Sequence, residues 1–311
     1  MKKAHRRYLR IAFWICAALG AAWVAFAPPP PQHHHAAHQV EVTQPPLILP
    51  PPASLPPPVG DEQAQPSTAE VTVPVTPPPA EKSPIVPKGQ AQIAIVIDDV
   101  GLDVSGSRRA VALPAFVTLS YMPYAKHLPE QTKEARDVGH ELLLHMPMEP
   151  MGAADPGPGA LLVGLSQDEL RHRLDTALAS FTGFDGMNNH MGSKFTADTA
   201  GMELVVDELQ QRHLFFLDSR TSAQSVGLSI ARQHGLPTIA RDVFLDDDVS
   251  PKAVRAQLEA TERVARRKGS AVAIGHPHAV TLQALEEWLP DAARRGFVFV
   301  PIKDLVNQTS P

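Results

Sequence analysis

Cysteine is nearly absent: the one thiol, Cys16, falls in an apolar stretch near the N-terminus. The rest of the chain therefore cannot close an internal disulfide. Aromatic residues are scarce as well, at 5%. Past residue 90 the Tyr and Trp residues reduce to Tyr121, Tyr124 and Trp288. That leaves few platforms for stacking sugar rings and counts against a long-chain polysaccharide ligand. No block of one charge extends beyond the extreme N-terminus, and the formal net charge is −5. A nucleic-acid partner needs a basic stripe to neutralise phosphates, so none is expected.

Proline, by contrast, is abundant and unevenly placed: more than half of the 32 prolines precede Lys88. Residues 28–88 cannot bury enough apolar surface to offset their ordering entropy, and read as an extended, disordered spacer. Ahead of them Lys2, Lys3, Arg6, Arg7 and Arg10 precede an uncharged run at 11–27. That run lies within the ~17–25 residues that span a bilayer. Its basic flank orients the N-terminus to the cytoplasm. The segment 1–27 is thus expected to be an uncleaved signal anchor in the inner membrane, with the remainder on the periplasmic side. Cleavage after the small-x-small stretch ending at Ala27 is the alternative, though Pro28 would hinder it.

From residue 89 to 311 the texture is that of one folded domain. Short strand candidates at 93–97, 116–120, 141–145, 186–189, 214–217, 238–241, 271–274 and 297–300 alternate with amphipathic stretches at 167–180, 201–212, 251–268 and 282–295. Such alternation predicts βα units on a parallel sheet, open or closed into a barrel. In these folds the carboxyl ends of the strands carry the chemistry.

Polar residues gather at those strand ends. The first strand runs into Asp98-Asp99-Val100-Gly101. Adjacent carboxylates on a strand are expected to face opposite ways, one free to ligate a metal while the other acts as a base. The third gives His145, with Glu149 four residues on in a proline-bracketed turn. The fourth gives Asn188-Asn189-His190, the fifth Asp218-Ser219-Arg220, the sixth Asp246-Asp247-Asp248, and the seventh His276-Pro277-His278. Carboxylate plus neutral imidazoles around an open position is the ligand set of a catalytic Zn²⁺ or similar divalent ion.

Taken together, Asp98-Asp99-x-Gly101, Gly139-His140-Glu141-x-x-x-His145, Asn188-Asn189-His190-Met191-Gly192-Ser193, Phe216-Leu217-Asp218-Ser219, Phe244-Leu245-Asp246-Asp247 and Ile274-Gly275-His276-Pro277-His278 resemble the divergent polysaccharide deacetylase family of the NodB-like superfamily. The resemblance implies a distorted (β/α) barrel of about seven strands and removal of acetyl groups from a glycan with the help of a divalent metal, zinc being the expected ion. By the same resemblance Asp98 is the base, Asp99 and His145 are metal ligands, and His276 is the acid that protonates the leaving amine. The NodB pattern carries a second histidine where this chain has Glu149. Either His190 or Glu149 then supplies the third ligand, His190 needing less backbone reach. Asn188, Asn189, Asp218, Arg220, Asp246 and His278 complete the rim.

The leading reading is a metal-dependent hydrolase removing N- or O-linked acetyl groups from an envelope glycan of the peptidoglycan type. A catalytically inactive glycan-binding or envelope-assembly module on a membrane tether is the alternative. A glycosidase pairing Asp98 or Asp99 with Asp218 or Asp246 is a third reading, which leaves the histidines without a task.

Overall fold

The computed structural model describes residues 90–309. The basic N-terminus, the apolar run at 11–27 and the proline tract at 28–88 lie outside the described residues. Among those described, no helix is long and apolar enough to cross a membrane.

The chain forms one all-parallel sheet. Its strands are β1 (Gln92–Val100), β2 (Thr118–Tyr121), β3 (Leu142–Met148), β4 (Gly186–Met191), β5 (Phe215–Asp218), β6 (Thr238–Ala240), β7 (Val243–Phe244), β8 (Ser270–Gly275) and β9 (Val298–Phe299). The helices are α1 (Val104–Val111), α2 (Leu128–Val138), α3 (Gln167–Leu178), α4 (Thr199–Gln211), α5 (Gly227–Gln233), α6 (Pro251–Lys268), α7 (Ala279–Arg294) and α8 (Ile302–Thr309). Hydrogen-bonded neighbours follow the path β6-β5-β4-β3-β2-β1-β8-β7, with β9 on β1. Among the described residues the count is nine strands rather than the barrel's expected seven or so: the run at 297–300 yields the two-residue strand β9, and the two-residue strand β7 matches none of the expected runs.

The edges β6 and β7 do not pair with each other. The chain itself bridges them: Arg241 N–H donates to Asp218 O at the end of β5, and Asp242 N–H donates to Val272 O on β8. The sheet is therefore curled, with a seam at residues 241–242. Curling gives it an inner and an outer face, and the pleat assigns side chains to them alternately. Ile93, Ile95, Ile97, Leu142, Leu144, Met187 and Phe216 join the large outer core beneath the helices. Ala94, Val96, Leu143, Phe215, Leu217, Val272 and Ile274 join a smaller inner core. Every strand with apolar residues in both cores is covered on both sides, so its sequence reads as a continuous apolar run.

The inner core is completed by Ile302, Leu305 and Val306 of α8. This helix starts on groups of the sheet's amino-terminal end: Ile302 N–H donates to Thr118 Oγ1 at 3.2 Å, and Lys303 N–H to both oxygens of Glu141 at 3.2 Å. Those bonds satisfy two of the donors that a helix start leaves unpaired. Glu141 is buried, and burial pushes its carboxyl up to about 8 despite the Lys303 N–H.

A raised folded-state value means that the folded chain keeps a proton which the unfolded chain, near 4.5, has already lost. Stability therefore falls as pH rises through that window. Glu141→Gln removes the penalty and keeps an acceptor for Lys303. Its thermal midpoint should match the parent at pH 5 and exceed it at pH 8.5 by at least about 2–4 °C, the shift ~1 kcal/mol produces in a domain of this size. A gap that does not change with pH contradicts this account.

Candidate functional site

One pleat beyond the inner apolar layer, the inward positions turn polar. Asp98 follows Ala94 and Val96, His145 follows Leu143, and His276 follows Val272 and Ile274. Asn188 pairs in register with His145 on one side and Leu217 on the other. Parallel pairing puts all these strand ends at one rim, which is why residues up to 178 positions apart in sequence (His276 − Asp98) meet there.

Asn188 is the hub. It is fully buried. Its Nδ2 donates to Asp98 Oδ1 at 2.9 Å and Oδ2 at 3.1 Å, and to Ser219 Oγ at 3.1 Å. Its Oδ1 accepts from Ser120 Oγ at 2.6 Å and lies 2.9 Å from His145 Nδ1. A carboxylate needs the amide's donor end, which fixes the amide orientation. The carbonyl end then requires a proton on His145 Nδ1. The free valence of His145 is thereby directed through Nε2 toward the two aspartates.

Asp98 and Asp99 do not face opposite ways as alternation predicts. The β1–β2 register shifts between Ile97 and Val100, and Asp99 adopts φ 56°. This bulge and left-handed residue, a conformation that costs of order 1–3 kcal/mol, swing the second carboxylate back to the same imidazole. His145 Nε2 lies 3.6 Å from Asp98 Oδ2 and 3.3 Å from Asp99 Oδ1. His190 Nδ1 lies 2.9 Å from that same Asp99 oxygen.

Asp99 Oδ1 is nevertheless a buried atom without a hydrogen bond of good geometry. Two ring nitrogens approach it and neither is aimed along the line to it. Ligand atoms of Asp99, His145 and His190 all lie within 4.8 Å of one another. Nitrogens that converge on a point beside an orphaned carboxylate oxygen fit a divalent cation, with one carboxylate and two imidazoles leaving further positions open. The charges agree. Burial works against ionising Asp99, but His145 and His190 hold its carboxyl far below the usual range. Burial also depresses His145, yet Asp98 and Asp99 outweigh it and push the imidazole up. The place favours positive charge. Asp98, buried more deeply than Asp99, is instead pushed up by burial.

Glu149 is placed elsewhere: it accepts from Lys194 Nζ at 2.6 Å and from Val163 N–H at 2.7 Å, on the exposed side of the β3 loop. Its proline-bracketed turn does fold back, but toward the surface.

His276 stands across the site, with Nε2 3.9 Å from Asp99 Oδ2. Its ring is held by Asp246. Nδ1 lies 3.0 Å from Asp246 Oδ1, while the His276 N–H and Thr281 Oγ1 donate to Oδ2 at 2.7 and 2.8 Å. Burial depresses His276, but the Asp246 carboxylate overrides it and the imidazole rises to about 9. Gly106 of α1 lets Pro277 O approach, since a Cβ there would lie 2.6 Å from that oxygen. His278 is exposed at the start of α7, its ring 5.7 Å from that of His276. Asp246, His276 and His278 also cluster. Both Asp246 oxygens are already occupied, so this second group has no orphaned ligand.

The remaining rim residues serve the loops. Asp218 alternates to the outer face, accepting from Arg220 N–H at 2.8 Å and Ser225 Oγ at 2.8 Å. Asn189 ties Met191 O to Ser219 N–H, at 2.7 and 3.0 Å. Arg220 is exposed, with φ 49°, and its carbonyl accepts from Arg241. Neither Asp218 nor Asp246 therefore faces Asp98 as the partner a two-carboxylate glycosidase needs. From sequence, Ser219 is named at the end of the fifth strand without a task, and Ser120 and Arg241 are given no place in the site. Period-two counting from Thr118, Leu217 and Ile239 puts all three on the inner face, a signal available in the sequence.

A family model described as divergent polysaccharide deacetylase matches residues 95–306. An uncharacterized protein of Haemophilus influenzae is 40% identical over 200 residues, covering 64% of this chain and 71% of its own length. The uncharacterized protein YibQ of Escherichia coli is 35% identical over 196 residues, covering 63% of this chain and 61% of its own. The crystal structure of an uncharacterized Agrobacterium tumefaciens protein superposes with a TM-score of 0.69 at 33% identity, covering 72% of this chain and 92% of that one. The matched span runs from within β1 to within α8 and contains every residue of the rim, and this chain belongs to the divergent polysaccharide deacetylase family.

Proposed function

We propose that this chain is a metal-dependent hydrolase that removes acetyl groups from an envelope glycan, with zinc the favoured ion. The observation that carries the reading is the flanking of the Asp99–His145–His190 group by two proton-transfer groups of different kind, a carboxyl and an imidazole: Asp98 beside His145, and the Asp246-held His276 beside Asp99. Family membership supplies the acetyl substrate class. The uncharged run at 11–27 would hold the domain at the periplasmic face of the inner membrane, across the spacer 28–88.

Asp99, His145 and His190 hold the cation in this reading. Bound there, it supplies Lewis-acid chemistry, withdrawing electrons from an acyl oxygen and from water. The residues do the rest. Asp98 takes a proton from the attacking water as the new C–O bond forms. Asn188 keeps that carboxylate oriented by donating to both its oxygens. His276 gives its Nε2 proton to the departing nitrogen as the C–N bond breaks, and Asp246 steadies the imidazolium beforehand. Water is consumed, and acetate and an amine are released.

Elemental analysis of the purified protein tests the cation group directly. Near-stoichiometric zinc or manganese is expected in the parent and in Glu149→Ala, and loss in Asp99→Ala and His190→Ala. Asn188→Ala, which frees both His145 and Asp98, should weaken metal affinity by about 10–100-fold. Retention of stoichiometric metal by Asp99→Ala would sink the ligand assignment, and no uptake by the parent would turn the reading toward a glycan-binding module.

Turnover separates the acid from the ligands. His276→Ala should keep the metal and lose about 10²–10⁴ in acetate release, the usual contribution of a positioned proton donor. Loss of metal in that variant would instead make His276 a ligand.

A further inference from the structure

Beside the reaction centre lies a cleft of about 390 Å³ between α3 and the loops that follow β2 and β3. That volume lies in the range of small-molecule sites, roughly 300–1,000 Å³. Pro123, Tyr124 and Pro158 supply much of its apolar lining, and Glu169, Arg173 and Thr176 of α3 supply polar groups. None of these residues is used by the chemistry described above.

The cleft adjoins the catalytic rim through backbone. Met122 N–H donates to Val100 O at 3.1 Å, one residue past Asp99. Gly101 lies so close to the same loop that a Cβ there would be 2.6 Å from Ala125 Cβ. Tyr124 sits between these two contacts. Its hydroxyl is pushed up first by burial and then by the charges of Asp99 and Asp155, so it feels the cation-holding carboxylate.

The cleft is also preformed. Arg173 donates to Ala160 O at 2.8 Å and to Glu169 Oε1 at 2.7 Å, bracing the Pro158 loop against α3. Gly157, at φ 93°, leaves room for Tyr124: a Cβ there would lie 2.6 Å from the phenol oxygen. A wall held in place before binding loses little entropy when a ligand arrives.

A lining that combines flat apolar side chains with hydrogen-bonding groups matches a pyranose ring, which presents C–H bonds on one face and hydroxyls at its edge. Of the two other Tyr or Trp residues in the domain, Tyr121 is fully buried. Trp288 lines a separate cleft between α6 and α7, with its indole N–H on Glu262. Tyr124 is thus the one such platform at this rim, enough for a single additional ring.

We propose that this cleft is a second sugar subsite, which holds the ring next to the one whose acetyl group lies over Asp98 and His276, so that the protein reads a disaccharide unit and nothing longer. The inference rests on the glycan-deacetylase reading for the position of the first ring.

Titration calorimetry on the full-length chain with N-acetylglucosamine, N,N′-diacetylchitobiose and the corresponding tri- and tetrasaccharides tests it. The disaccharide should bind about tenfold more tightly than the monosaccharide, the order of one aromatic contact. The longer probes should stay within about twofold of the disaccharide, having no further platform to reach. Thr176 is exposed on α3, so Thr176→Trp fills the cleft without touching the core and should collapse the disaccharide-to-monosaccharide ratio to near one. Gly157→Ala, which displaces the Tyr124 ring, should lower the same ratio. Affinity that keeps climbing to the tetrasaccharide, an advantage that survives Thr176→Trp, or no binding of any probe overturns the subsite. Acetate release from the same probes reports separately on the hydrolase reading. Binding with this length dependence but no acetate fails that reading alone, and acetate with a flat length dependence fails the subsite alone.

Discussion

The side-chain amide of Asn188 holds the rim together. It touches groups carried by β1, β2 and β3, and by the segment just after β5, from its own place on β4. Each of its hydrogens and lone pairs has a partner, so the amide is saturated inside a buried site. A fully satisfied buried network has one arrangement, while a partly satisfied one is costly and permits several. From that single orientation follow the protonated nitrogen of His145, the direction of its free valence, and the pose of Asp98. The loss of one small side chain would take a hydrogen-bond partner from four buried polar groups at once: Asp98, Ser120, His145 and Ser219.

The second constraint is the bulge at the end of β1. A regular strand would send Asp98 and Asp99 to opposite faces, one toward the inner layer and one toward the helices. The register shift and the positive φ of Asp99 break that rule at one residue. Two carboxylates then share one imidazole, yet their environments differ. Asp99 sits between His145 and His190 and is held ionised, whereas Asp98 lies deeper and burial raises it. Across the site Asp246 does for His276 what Asp98 and Asp99 do for His145, but with both of its oxygens already bonded. Similar residue types thus stand in different surroundings at one rim.

How legible this was differs by element. The apolar runs of β1, β3 and β8 announce themselves because both of their faces are covered. Helix α6 was legible to the residue: Ser250 caps it, Pro251 occupies its first turn, and Gly269 ends it at φ 89°. Helix α1 was not, since Val-Ser-Gly-Ser has poor helix propensity. It forms because Asp103 caps it and because Gly106 can pack on the carbonyl of Pro277, a contact 171 residues away in sequence (277 − 106). Helix α8 is eight residues long and is held by Thr118 and Glu141, so its cause lies in the sheet and not in its own sequence. Asp246 was visible as a rim carboxylate, but its task depends on a ring presented by another strand.

Taken alone, the sequence determined the parallel α/β class, the strand ends at which polar residues gather, and the family. All three rest on local pattern: apolar runs of strand length, amphipathic stretches between them, and polar residues where each run stops. Tertiary structure alone decided that Asp98 and Asp99 turn to one side, that His190 and not Glu149 stands beside Asp99, and that Asp218 faces away. These outcomes depend on a bulge, a register and a curled sheet. Such features are set by pairing between strands far apart in the chain, and no local pattern encodes them.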